Sequence, residues 1–148
     1  MTGNRPKMRV LGITEDSGFL RPLRMDMPLL NLKKQGLIEG YFVTNPTLFD
    51  VPDDQFFDVV WLQRVRFGQL ISHLSERLAD GYLYDIDDFM IGEPSYLSRE
   101  ELHPQTVIEA LKNCKVLTAP SRRLVRLLER ATEIDLASRN VLLSLIHI

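Results

Sequence analysis

The chain has 148 residues, with 18 lysines and arginines against 20 aspartates and glutamates and a formal net charge of −2. That length fits a single domain with a core large enough to fold without disulfides or metal, and the balanced charge argues against a dedicated nucleic-acid binder. Cys114 is the one cysteine, so an intramolecular disulfide is excluded, and the residue spacing of a zinc site is missing. No stretch has the length of a signal-peptide core or of a membrane span, so we expect a cytoplasmic protein.

The first half of the chain alternates short apolar strands with amphipathic helices. Branched and aromatic residues favour strands, and apolar residues three and four positions apart favour helices. A loop is expected at residues 15–24, followed by a helix with Asp26 near its N-cap, Pro28 in its first turn and Gly36 at its end. The pattern predicts strands at 8–14, 37–44 and 56–62 and a second helix at 67–79.

The second half continues the same alternation. It predicts strands at 82–86 and 116–119, helices at 104–113 and 121–131, and a long loop at 87–102. Because helices separate the strands, we predict an α/β fold with a Rossmann-like, mostly parallel sheet and helices on both faces, formed by residues 8–131.

The tail at residues 132–148 is uncertain from sequence. Its apolar end is either the last strand or helix of the domain, the start of a second domain, or not native to the protein. The third interpretation arises because residues 143–148 (LSLIHI) resemble the start of a translated sequencing adapter.

The acidic run Asp85-Ile86-Asp87-Asp88 at the end of the fourth strand is the clearest candidate site. Ligands of open parallel sheets bind at the carboxyl ends of the strands. Carboxylates that lie close together repel one another, so one can keep a proton near neutral pH and act as a general base. A pair of them can instead hold Mg²⁺. As a structural alternative, Asp87 and Asp88 cap the following turn and face water.

Other strand ends carry weaker candidates. The loop after the first strand contains Gly18, Arg21 and Arg24, which can approach and bind a phosphate or a carboxylate, although a surface loop with solvated arginines is the slightly favoured interpretation. Gln63-Arg64-Val65-Arg66 follows the third strand and could face the same cleft, but a solvated basic turn is the favoured interpretation. Ser121 is expected to be a helix N-cap, at a helix end that can also receive an anion.

Five segments in this order resemble the N-terminal domain of GT-B glycosyltransferases of the family-4-like group, which builds bacterial surface polysaccharides. They are MRVLGI at 8–13, RPLRMDMPLL at 21–30, DVVWLQR at 58–64, YLYDIDDF at 82–89 and CKVLTAPSRRLVRLL at 114–128.

The resemblance implies transfer of a sugar from a nucleotide-sugar donor to a hydroxyl on a glycan or lipid-linked acceptor, with peripheral association at a membrane and without a cofactor, a metal ion or nucleic acid. It makes Asp88 or Asp87 the acceptor-facing catalytic carboxylate, and the cleft contacts would come from Gly18, Arg21, Arg24, Gln63 and Ser121. In that family a second domain holds most of the donor. The chain is therefore expected to be truncated and inactive alone.

Two alternatives stay open. In a GT-A transferase, Asp85 and Asp87 would form an Asp-x-Asp pair that binds Mg²⁺ or Mn²⁺ beneath the donor diphosphate. The chain could instead be a non-enzymatic, flavodoxin-like module such as a receiver domain. Receivers carry an aspartate after the third strand and a lysine after the fifth, whereas this chain has Gln63 and Pro120 there.

Overall fold

The computed structural model describes residues 8–15, 18, 21–46, 57–77, 81–92 and 103–143. In these residues six parallel strands form one sheet in the order β2-β1-β3-β4-β5-β6. The strands are β1 (Met8–Thr14), β2 (Ile38–Thr44), β3 (Val59–Gln63), β4 (Leu83–Asp85), β5 (Val116–Ala119) and β6 (Asn140–Leu143). The predicted α/β fold with a parallel sheet is therefore confirmed.

In the part of the chain that the structure describes, four α-helices accompany the sheet: α1 (Met27–Lys34), α2 (Gly68–Arg77), α3 (Pro104–Asn113) and α4 (Arg122–Thr132). The boundaries of β1, α3 and β5 agree with the sequence prediction. The Ser121 side chain accepts a hydrogen bond from the backbone N–H of Leu124 at 3.2 Å, which confirms the predicted N-cap of α4. None of the helices among the described residues is both long and apolar enough to cross a membrane.

The predicted loop at 15–24 is wrong at its end. A π-helical turn covers Pro22–Asp26 and runs directly into α1. Asp26 stands at the N-cap position of α1 and Pro28 in its first turn, as predicted, but Asp26 has helical backbone angles and its carboxylate accepts from Nε of Arg21 at 3.3 Å rather than capping the helix. The turn is helical since Arg24 and Met25 are buried against the sheet, and this tertiary contact has no periodic signal in the sequence.

Gly12 explains why the π-helical turn can lie so close to β1. A Cβ atom at this position would stand 2.7 Å from Sδ of Met25, well inside van der Waals contact. A glycine within a strand often marks such a close approach. Because Gly12 has no side chain, the π-helical turn can pack directly against the sheet, and Arg24 lies over the strands.

The core has two parts because strand side chains alternate between the faces of the sheet. The larger cluster packs α2, α3 and α4 on one face, against residues such as Leu11, Leu62 and Tyr84. The smaller cluster packs α1 and the π-helical turn on the other face, through Val10, Met25, Leu29 and Ile38. The predicted helices on both faces are thus confirmed.

The described part of the tail belongs to the same fold. Leu136 is fully buried in the larger core, and β6 pairs in parallel with β5. Nη1 of Arg139 donates to the carbonyl oxygens of Leu111 and Lys112 at 2.8 and 2.6 Å, which ties the tail to the end of α3. Residues 144–148, and residues 93–102 of the predicted long loop, lie outside the described residues.

Candidate functional site

The strand order places a switch point between β1 and β3. From β1 the chain moves to β2 on one side, and it then continues through β3 to β6 on the other. Crevices at such points, outside the carboxyl ends of the strands, are where open α/β sheets bind ligands. A cleft of about 590 Å³ lies here, lined by Glu15, Arg66, Phe67, Gly68, Gln69, His103 and Thr106.

The ends of β1 and β3 are joined by polar contacts at this cleft. The Thr14 hydroxyl donates to Oε1 of Gln63 in the buried sheet edge. One residue further on, Glu15 accepts from the backbone N–H of Arg66 at 2.5 Å and from its Nε at 3.0 Å. Polar contacts therefore join the two strand ends beside the cleft, Nε2 of Gln63 has no hydrogen-bond partner among the described residues, and the charges of Glu15 and Arg66 largely offset each other.

Next to the switch point, a buried ion pair links the π-helical turn to β4. Nε and Nη2 of Arg24 donate to the two carboxylate oxygens of Asp85 at 2.8 and 2.6 Å, and the Thr118 hydroxyl donates to Oδ1 at 2.5 Å. The side chains of Arg24 and Asp85 are only 6% and 3% exposed. Burial lowers the pKa of Arg24, but the hydrogen bond and charge of Asp85 and the charge of Asp87 outweigh it and raise that pKa.

Asp87 lies two residues beyond, at the rim of the same edge. Its Oδ1 is 3.3 Å from Nε of Arg64, and the two side chains are 14% and 13% exposed. Burial raises the pKa of Asp87, the charges of Arg64 and Arg24 partly oppose that rise, and the charge of Asp85 adds to it. Oδ1 has no hydrogen-bond partner among the described residues, so its contact with Arg64 is electrostatic rather than a well-aligned hydrogen bond.

This arrangement separates the acidic run into different roles. Asp85 is internal and has both oxygens engaged, whereas at the strand end Asp87 is mostly buried and Asp88 is partly buried. A mostly buried carboxylate with a raised pKa can accept a proton from a hydroxyl near neutral pH. The chemistry available at this edge is therefore proton transfer by Asp87, with Asp88 beside it.

The other candidate residues differ in their exposure and in their contacts. Gly18 is exposed, and Arg21 is half-exposed next to Asp26. Arg24 points its guanidinium into the protein and positions Asp85. Ser121 holds the start of α4. Of these four residues, Arg24 is the one whose charge acts on Asp87.

The solvated basic turn expected at Gln63-Arg64-Val65-Arg66 is wrong. Gln63 and Val65 are fully buried, and Arg64 and Arg66 contact the carboxylates of Asp87 and Glu15. Sequence reasoning missed Arg64 because its partner comes from another strand. The only signal was that a basic residue and an acidic residue follow strands that proved to be neighbours.

No protein-family model matches the chain, and comparisons with curated proteins and with solved structures found no match either.

Proposed function

We propose that the chain is the acceptor-side domain of a glycosyltransferase, which transfers a sugar from a nucleotide-sugar donor to a hydroxyl acceptor in the synthesis of a surface polysaccharide. The observation that carries this proposal is the mostly buried Asp87 carboxylate at the carboxyl end of β4, whose pKa is raised by burial. An acceptor hydroxyl must lose its proton as it attacks the sugar, and a carboxylate with a pKa closer to neutrality than usual is suited to remove it.

The surroundings of Asp87 support this role. The buried pair of Arg24 and Asp85 fixes the end of β4, so the following residues start from a rigid element. The switch-point cleft opens at the same carboxyl edge of the sheet, and its lining includes exposed Phe67, half-buried Thr106 and the carboxylate of Glu15, but not Asp87. A flat apolar ring next to hydroxyl and carboxylate groups suits the mixed apolar and hydroxylated surface of a sugar.

The test uses a protein that carries this domain together with a donor-binding domain. Asp87→Asn and Asp88→Asn are compared with the parent for sugar transfer to an acceptor and for binding of the nucleotide-sugar donor. We expect Asp87→Asn to lower kcat by about 10²–10⁴-fold, the usual contribution of a general base, while donor binding is unchanged.

Asp135→Asn is the matched control, since Asp135 is exposed in the segment between α4 and β6, away from the carboxyl edge of the sheet. It should leave kcat unchanged. Full turnover in Asp87→Asn and Asp88→Asn together would remove both carboxylates from the mechanism. Loss of donor binding in the same variants would show that they act on the donor instead.

The metal-dependent GT-A alternative requires Asp85 and Asp87 to share a cation. Asp85 already accepts hydrogen bonds from Arg24 on both oxygens and from Thr118, so a cation would have to displace a buried guanidinium. Among the described residues, no cluster of three acidic, histidine or cysteine side chains could hold a metal ion. Transfer that stops in a chelator and resumes with Mg²⁺ or Mn²⁺ would favour this alternative.

The strand order favours a second candidate function, a non-enzymatic flavodoxin-like module. The order β2-β1-β3-β4-β5 is that of flavodoxin-like domains. Binding of a partner protein or of a small ligand without turnover, in a protein that shows no transfer with any nucleotide sugar, would support this candidate.

A further inference from the structure

Arg64 has an unusual backbone conformation immediately after β3. Its φ angle is 54°, in the left-handed region. That region is unfavourable for a side chain with a Cβ atom, and residues other than glycine that adopt it tend to cluster at functional sites. A glycine at this position would adopt the same angle without strain.

The neighbouring bonds hold Arg64 in this conformation. Its own backbone N–H donates to the carbonyl oxygen of Asp85 at 3.0 Å. The next carbonyl, that of Val65, accepts from the Tyr84 hydroxyl at 3.0 Å, and the next N–H, that of Arg66, is bound by Glu15. Strained conformations persist when surrounding contacts determine them in this way.

The consequence of the left-handed turn is the position of the guanidinium. It brings Nε of Arg64 to 3.3 Å from Oδ1 of Asp87, with both side chains mostly buried. The other charged groups that act on Asp87 are Arg24, which favours its ionised form, and Asp85, which opposes it. Asp88 is its neighbour in the chain.

We propose that Arg64 is a positioning residue, retained in a strained conformation because its guanidinium holds the Asp87 carboxylate at the carboxyl edge of β4 and governs when that carboxylate carries a proton. This inference deepens the proposed function, and it rests on that function for the catalytic use of Asp87. The contact itself, and its effect on proton binding, can be measured whether or not the protein transfers a sugar.

The experiment measures the proton affinity of Asp87 by carboxyl carbon NMR in the 148-residue chain, with Asp87→Asn used to assign the resonance. Arg64→Met removes the charge and keeps a side chain in the strained position, whereas Arg64→Gly removes both charge and strain. Both variants should bind the Asp87 proton at least tenfold more tightly, the lower end of the effect of a contacting opposite charge. A smaller change in either variant would overturn the proposal.

Arg66→Met is the matched control, because Arg66 lies two residues away in the same turn but pairs with Glu15. It should leave the proton affinity of Asp87 unchanged, and an equal shift in this variant would show a general effect of positive charge rather than positioning. The strain is tested by thermal unfolding. Arg64→Gly should melt at a higher temperature than Arg64→Met, and an equal or lower melting temperature would refute the claim of strain.

The two proposals fail separately. If the NMR shifts are as expected but Asp87→Asn keeps full transferase activity, the positioning contact stands and the catalytic role is refuted. If Asp87→Asn loses activity but the Arg64 variants leave the proton affinity unchanged, the proposed function stands and the role of Arg64 is refuted. If the parent is an active transferase, loss of the Arg64 guanidinium in Arg64→Met should also shift the acidic limb of the pH profile of kcat to higher pH.

Discussion

Removal of the Arg24 guanidinium should destabilise the fold more than removal of a surface charge. In Arg24→Met the Asp85 carboxylate stays in the sheet, only 3% exposed, with the Thr118 hydroxyl as its remaining side-chain donor. Breaking a buried pair by removing one partner leaves an uncompensated charge and costs about 3–5 kcal/mol. We expect a loss of that size in the free energy of unfolding, which is a large share of the ~5–15 kcal/mol typical of a domain.

The paired substitution separates the cost of an orphaned charge from the net value of the interaction. When both members of a buried ion pair become apolar, the change is often close to neutral, because the desolvation penalty of both charges disappears. The double variant of Arg24→Met with Asp85→Leu should therefore lose less stability than the sum of the two single variants, by about 2 kcal/mol or more. Asp85→Leu alone should be as damaging as Arg24→Met, since it leaves the buried guanidinium without its partner.

Urea unfolding followed by circular dichroism measures these differences. The matched control is Arg9→Met, since the pair of Arg9 and Asp58 joins the same residue types at 45% and 46% exposure. Exposed pairs contribute about 0–1 kcal/mol, so this variant should unfold nearly as the parent does. If Arg24→Met also lost less than about 1 kcal/mol of the free energy of unfolding, water would have to reach Asp85, and the Arg24–Asp85 pair would not be what holds the carboxyl end of β4.

Three further predictions concern glycines and the cysteine. Gly81→Ala should cost ~2–3 kcal/mol of the free energy of unfolding in urea, because φ is +74° and the new Cβ would lie 2.8 Å from a backbone carbonyl oxygen. Gly36→Ala is the control, since φ is +71° there but no atom lies within 4 Å. It carries the backbone strain without the steric clash and should cost less. Gly12→Ala should cost ~1 kcal/mol, because the flexible Met25 side chain can shift, and a neutral result would refute the close approach of the π-helical turn. Burial raises the pKa of the Cys114 thiol from 9.0 to about 11. The buried neutral thiol therefore contributes fully to the free energy of unfolding below pH 9, and this contribution is lost between pH 9 and about 11. That part of the alkaline loss should be missing in Cys114→Ala, and a thiol reagent at pH 8 should label Cys114 only after unfolding.

Most of the fold could be predicted from local patterns. The strand at Val116–Ala119 and the helix at Pro104–Asn113 have the predicted boundaries, because apolar spacing and turn residues report the local conformation directly. The segment around Arg24 could not be predicted in this way. Its helical conformation depends on packing over Gly12, which is distant in the chain, and such a contact leaves no periodic mark on the sequence.

The candidate site, like the fold, could be predicted only where local sequence patterns determine it. The sequence alone determined that an acidic run follows a strand of a parallel sheet, because strand propensity and the alternation of elements are local properties of the chain. Only the tertiary structure decided what each carboxylate does. Asp85 is neutralised inside the protein by Arg24, and Asp87 stays at the rim beside Arg64. Three identical side chains within four positions acquire different roles because burial and charge partners come from elements that are far apart in sequence and adjacent only in the folded sheet.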